Sequence, residues 1–245
     1  MRRVIMISDI HGCIEPFNRL LAKVQYTPGQ DQLILLGDYV DKGPASQEVV
    51  ERVMQLVHQD EAVALRGNHD QRLVDFVRGN DAQVRSKFAQ HGGLPALQSY
   101  CGMTETILTE EMMDEAKSII EERYSNHLNF LAQLPLYYED EQHICVHAGL
   151  NPSVPNWREQ SDHDFMYIKD AFYKNPTTAD KRVIFGHTKT IDIHGSADVW
   201  FAEDKIGIDG GCSYGMQLNA LIYHNGTYRT EAVPANGPGG GEVPS

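Results

Sequence analysis

Six residues of metal-ligating type stand just after short apolar runs. Asp9 and His11 follow RVIMIS, Asp38 follows LILLG, Asn68 follows AVALRG, His147 closes ICV and His187 follows VIFG. Short apolar runs bounded by polar residues or glycine read as buried strands, so five strands would each end in a potential ligand. Asp9 and His11, two apart, project to the same side of an extended chain and can meet one cation. Asp38 sets a second carboxylate at the next strand end, and a shared carboxylate is how paired-metal sites hold cations about 3.5 to 4 Å apart. Asn68 offers an amide oxygen, His147 and His187 imidazole nitrogens. Each motif alone has an ordinary alternative. SDIHG also reads as a turn whose Asp9 caps the next helix, and a histidine after a strand as a hydrogen-bonded polar residue. Five strand ends carrying Asp, His, Asp, Asn, His and His favour a metal centre.

These strand ends need an α/β frame. RVIMI at 3–7 is followed by helical spacing at Phe17, Leu20, Leu21 and Val24, and LILL at 33–36 by Val49, Val50, Val53, Leu56 and Val57. AVALR at 62–66 reads as a third strand, and repeated strand-helix units imply a largely parallel sheet. Amphipathic, charge-rich spacing from about 70 to 133 predicts a helical insertion. Strand-like runs at 143–147, 183–186, 198–201, 205–208 and 218–223 predict a second, more antiparallel sheet. The expected fold is a two-sheet β-sandwich flanked by helices, one catalytic domain over 1–232. A Pro/Gly-rich tail follows at 233–245 and is expected to be flexible.

The chain has 245 residues, 22% of them charged, and a net charge of -13. That sign argues against nucleic acid or an anionic membrane surface as partner, so an anionic substrate must be attracted locally. No run reaches the roughly 18 apolar residues of a membrane span, and the N-terminus shows no cleavage pattern, which reads as cytoplasmic. Cys13, Cys101, Cys145 and Cys212 form no CxxC pair and read as free thiols, mostly buried.

In order and wording, SDIHG, GDYVDKG, RGNHD, VHAGL and FGHT resemble the motifs of the phosphoprotein phosphatase family, within the calcineurin-like metallophosphoesterases, and its small bacterial and phage members in particular. The resemblance spans residues 4–223. It departs in the first motif at Ser8, a position that carries no ligand. It implies that Asp9, His11 and Asp38 hold one metal ion and that Asp38, Asn68, His147 and His187 hold the other. Two divalent or transition ions are implied, Mn²⁺ foremost, with Fe or Zn as alternatives. It makes His69 the general acid, oriented by Asp41, and an imidazole suits that task near neutral pH. Arg66 matches a family arginine able to grip phosphate by a bidentate fork. Lys42 and Lys169 stand where relatives carry arginine and would offer point charges instead. His91, His163 and His194 lie outside the motifs and read as surface or turn residues. Tyr214 reads equally as a site-lining or a core tyrosine.

The resemblance implies attack on a phosphoester by a hydroxide bridging the two ions. Thr188 in FGHT points to a protein serine/threonine phosphatase, with phosphorylated protein or a small phosphoester as substrate. A symmetrical diadenosine tetraphosphate hydrolase is the alternative, and an inactive metal-binding regulatory protein a third reading.

Overall fold

A computed structural model describes residues 2–236. The chain runs β1 (Arg3–Ile7), α1 (Ile14–Lys23), β2 (Asp31–Leu35), α2 (Ser46–Asp60) and β3 (Val63–Ala64). Then come five helices, α3 (Asn68–Arg78), α4 (Ala82–Gln90), α5 (Gly93–Cys101), α6 (Glu110–Arg123) and α7 (Ser125–Gln133). The second half holds β4 (Tyr137–Glu139), β5 (His143–Val146), α8 (Asp162–Tyr167), α9 (Asp170–Tyr173), β6 (Arg182–Phe185) and α10 (Thr190–His194). It closes with β7 (Trp200–Phe201), β8 (Lys205–Gly207), β9 (Gln217–His224) and β10 (Thr227–Pro234).

Two five-stranded sheets face each other, ordered β10-β9-β1-β2-β3 and β4-β5-β6-β8-β7. In the first, β1, β2 and β3 are parallel and β9 and β10 antiparallel. In the second, β5, β6 and β8 are parallel and β4 and β7 antiparallel. Both sheets are equally mixed, which corrects the expectation of a more antiparallel second sheet. Each is built around a parallel triad whose three carboxyl ends lie at one edge, where open α/β sheets bind ligands.

Alternation along the strands explains the layers. In β1, Met6 faces the other sheet with Ile34, Leu36, Leu65, Cys145, Ile184, Ile206 and Leu221, while Ile5 and Ile7 face Phe17, Leu20, Val49 and Val53 of α1 and α2. The outer face of the second sheet, with Ile144, Val146, Val183 and Phe185, packs on Trp157, Phe165 and Phe172. With both faces covered, the runs read as continuously apolar.

The insertion is helical throughout α3–α7. The AVALR strand shrinks to Val63–Ala64. The strand β10 went unread, and it pairs with β9 through a hairpin at Asn225 and Gly226, both left-handed at φ 50° and 79°. Asn-Gly is the strongest short hairpin signal, because both of its residues tolerate the left-handed conformation. Because β10 reaches Pro234, the sheet takes in the first residues assigned to the tail, and residues 237–245 lie outside the described part. All four cysteines are free, but Cys13 and Cys101 are only half-buried. Among the described residues no helix is long and apolar enough to cross a membrane.

Ile34 is fully buried between the sheets. Ile34→Ala is expected to cost about 2–5 kcal/mol of unfolding free energy by urea denaturation. A change below 1 kcal/mol would mean that the inter-sheet layer is not close-packed.

Candidate metal centre

Six strand ends meet at the shared edge. Asp9 and His11 follow β1, Asp38 and Asp41 follow β2, and Asn68 and His69 open α3 just after β3. His147 follows β5, His187 follows β6 and Asp209 follows β8. All except His187 are buried as whole residues, from 0% exposure at Asp41 and His147 to 6% at His69.

The backbone is bent sharply to bring them together. Asp9, His11, Asp38, Asp41, Lys42 and His187 adopt left-handed conformations, with φ between 46° and 69°. For residues with a Cβ this costs on the order of 1 kcal/mol each, and it persists where surrounding structure overdetermines it. His11 N–H donates to Asp38 O (2.8 Å) and Gly12 N–H to Tyr39 O (2.8 Å), locking the first two turns together. The Asp70 carboxylate accepts from the N–H groups of Asp38 (2.8 Å), Tyr39 (2.9 Å) and Gly67 (2.9 Å), and so clamps the second turn to the start of α3. Gly67 packs against Asp38 so closely that a Cβ would strike its carboxylate and backbone.

Asp38 sits between two sets of ligand atoms. Its Oδ2 is 3.4 Å from His11 Nε2, and its Oδ1 is 3.5 Å from His147 Nε2 while accepting from His69 N–H (2.9 Å). His11, Asp38 and His69 present atoms all within 4.8 Å of one another, as do Asp38, His147 and His187. Asp9 lies beside them, its Oδ2 accepting from His187 N–H (2.9 Å) and from the Ser8 hydroxyl. Ser8 therefore touches a candidate ligand, contrary to its expected irrelevance.

Several features of this cluster fit cations. His11 donates Nδ1–H to Val40 O (2.8 Å), which points the lone pair of Nε2 inward, and the Lys42 ammonium donates to it at 2.8 Å. His147 donates Nδ1–H to Leu36 O (2.8 Å), leaving Nε2 3.0 Å from Asn68 Oδ1. With the amide oxygen turned to a neutral ring these are two facing acceptors, an arrangement that a shared cation suits. Burial lowers the proton affinity of His147, but Asp38, Asp9 and the Leu36 carbonyl outweigh it and hold its pKa above the ordinary value. His187 Nε2 is buried without a partner. Burial, with His147 and the nearby lysines, pushes this imidazole well down, so its ring nitrogen keeps a free lone pair. Burial pushes the Asp38 carboxyl up, yet His147, His69, His11 and Lys42 reverse this and hold it well below the carboxylate range. Buried acceptors with fixed imidazole tautomers are what a metal-ligating shell requires.

His69 Nδ1 meets Asp41 Oδ2 at 2.7 Å. Burial pushes the carboxyl of Asp41 well up and the imidazole of His69 well down, so the pair rests charge-neutral with a proton between them. His69 Nε2 is the ring nitrogen left for chemistry.

The cluster forms the floor of a cleft of about 480 Å³, lined also by Lys42, Arg72, Lys169, Lys189 and Tyr214. Of the three expected phosphate-binding residues, Lys42 and Lys169 line this cleft. Arg66 does not: its Nη1 donates to Ala132 O (2.9 Å) and its backbone N–H to Pro135 O (2.9 Å), so it fastens the end of α7 to the turn after β3. Arg72 stands in the cleft instead, 7% exposed, with Nη1 3.1 Å from His69 Nδ1. Its position was legible, because Asn68 and Arg72 are i and i+4 on α3 and share a helix face. Asp209 repeats the strand-then-acid pattern of the other motifs and was also missed. Its Oδ1 accepts from Gly211 N–H (2.9 Å), and burial beside Asp9 pushes its carboxyl well up. Of the histidines set aside, His91 lines the cleft and His163 stacks on Tyr167, another lining residue, with centroids 4.5 Å apart. His194 ends α10, its Nε2 3.0 Å from Asp198 O, and remains a turn residue. Tyr214 is 56% exposed, not a core tyrosine.

The chain is similar to bis(5'-nucleosyl)-tetraphosphatase PrpE [asymmetrical] of Anoxybacillus flavithermus, with 28% identity over 95% of this chain and 94% of the relative. It also resembles a crystal structure of a candidate diadenosine tetraphosphatase (TM-score 0.64, 25% identity, 98% and 95% covered). A serine/threonine phosphatase from Saccharomyces cerevisiae, similar to human phosphatase PP5, shares the fold (TM-score 0.53, 15% identity, 94% and 79% covered). Residues 2–210, most of the chain, match the calcineurin-like phosphoesterase family, and the chain belongs to it.

Proposed function

We propose that this protein hydrolyses bis(5'-nucleosyl) tetraphosphates with two divalent metal ions, held by Asp9, His11 and Asp38 on one side and by Asp38, Asn68, His147 and His187 on the other. Such ions polarise the phosphoryl oxygens and activate water when bound. The observation that carries the choice of substrate is the set of cations in the cleft. Among the described residues Lys42, Arg72 and Lys169 have no carboxylate within salt-bridge distance, in a chain of net charge -13. Burying a guanidinium as deeply as Arg72 without a counter-ion is costly unless an anion completes it. Three such groups suit a run of several phosphates better than one phosphoserine, and the named tetraphosphatase relatives support that reading over the protein phosphatase. The cut is taken as asymmetrical, in line with the name of the relative, rather than the symmetrical cut of the alternative above.

The protein's own groups have separable tasks. Arg72 grips phosphoryl oxygens and stabilises charge that develops on them. Lys42 would give up His11 Nε2 were a cation bound there, and its ammonium would then be available for phosphate. His69 gives the Nε2 proton to the leaving oxygen while Nδ1 draws on the proton held with Asp41, so the imidazole stays neutral and the negative charge left behind rests on the Asp41 carboxylate. Lys169, exposed at the rim, attracts the outer phosphates.

Saturating Mn²⁺ is expected to raise Tm by about 5 °C or more by linkage, and the shift to be largely lost in Asp38→Asn. Equal shifts in both proteins, or none in either, would remove the shared-carboxylate site. Arg72→Ala is expected to lower kcat/KM about 10²-fold or more, whereas Arg66→Ala lowers Tm with kcat/KM little changed. The reverse ranking would return the clamp to Arg66. In a metal-supplemented comparison, kcat/KM for diadenosine tetraphosphate should exceed that for a phosphothreonine peptide, with AMP and ATP as products. A preference for the peptide restores the protein phosphatase, two ADP the symmetrical cut, and no turnover of either, or of p-nitrophenyl phosphate, the regulatory reading.

A further inference from the structure

Tyr214 is an aromatic ring that folding leaves largely in solvent, yet its turn is tightly built. The turn Cys212–Tyr214 lies between Gly211 and Gly215, left-handed at φ 70° and 80°. Tyr214 N–H donates to Gly211 O (3.0 Å), Gly215 N–H to Cys212 O (3.0 Å), and Gly211 N–H to the Asp209 carboxylate (2.9 Å). The turn is thereby tied to the floor of the cleft, and the ring is held out at its rim.

The ring also has a defined place relative to the ligand cluster. Lys42 Nζ lies 5.1 Å from its centroid and 2.8 Å from His11 Nε2, so a single ammonium spans the gap between tyrosine and candidate metal centre. Lys189 Nζ is 4.4 Å from the same centroid, and its 3.2 Å contact with Asp192 keeps it at the rim. A phosphate followed within a few ångströms by a flat aromatic face and a second ammonium matches the layout of a nucleotide. The phosphate meets Lys42, the base the ring, and the ribose or base edge Lys189.

We infer that Tyr214 and Lys189 form a nucleoside subsite, with the tyrosine ring stacking on a purine base of the bound nucleotide; this rests on the dinucleotide reading above. Base-aromatic stacking has no counterpart in a bare polyphosphate, so the subsite raises affinity for nucleotides over inorganic chains.

Isothermal titration of the metal-loaded protein with ADP and with inorganic pyrophosphate tests this directly. The wild type is expected to bind ADP about tenfold more tightly than pyrophosphate. Tyr214→Ala should reduce ADP affinity to the level of pyrophosphate and leave pyrophosphate unchanged, while Tyr214→Trp keeps the preference. Equal binding of the two probes by wild type, or an equal loss for both in Tyr214→Ala, overturns the subsite. A wild type that fails to cleave diadenosine tetraphosphate but shows the ADP preference, lost in Tyr214→Ala, sinks the substrate reading and leaves the subsite standing. Cleavage of that substrate with unaltered ADP affinity in Tyr214→Ala sinks the subsite alone.

Discussion

Asp38, 1% exposed, turns one carboxylate oxygen toward His11 and the other toward His147, and this divided carboxylate is the contact on which the rest of the site depends. His11 belongs to the first sheet and His147 to the second, so the two sheets are registered against each other through one side chain. A buried anion with no neutralising partner is unstable, and its neighbours hold it ionised only while they are cationic. The Lys42 ammonium meets that need beside His11, and the same carboxylate raises the proton affinity of His147. Bound metal ions meet it better, which links stability to loading.

The surrounding strain follows from the same requirement. Candidate ligand atoms from five strand ends can converge only if the chain turns soon after the strands, and left-handed Asp, His and Lys residues make those turns after β1, β2 and β6. Asp70 holds one of them by three backbone N–H groups, and Gly67 clears the space that lets Asp38 lie against the start of α3. Helices α3–α7 are not incidental to this. The backbone N–H of Lys42 donates to Gly92 O (2.9 Å), so the insertion supports the loop that carries the cleft's central lysine.

The candidate ligands were legible in the sequence because a polar residue after a buried strand is a local pattern, repeated five times. The parallel triads followed from the strand-helix alternation for the same reason. Less accessible was whatever depends on side-chain direction. Arg66 carries a family-like position but lies where the short β3 turns it toward α7, whereas Arg72 lies one helical turn beyond Asn68 and points into the cleft. Tyr214 lies outside the main motifs and Lys189 directly follows FGHT, and only the approach of the β6 and β8 ends brings the tyrosine ring within reach of both Lys42 and Lys189. The Asn225-Gly226 hairpin and Asp209 are also local signals, a turn pair of left-handed type and an acid that follows the strand-like run 205–208.

A crystal structure of the protein grown with Mn²⁺, with anomalous scattering collected at the manganese edge, tests the central claim most directly. The account requires two anomalous peaks flanking the Asp38 carboxylate, one by His11 and Asp9 and one by Asn68, His147 and His187, with the Lys42 ammonium withdrawn from His11. A single peak, or none with Lys42 still on His11, would contradict it.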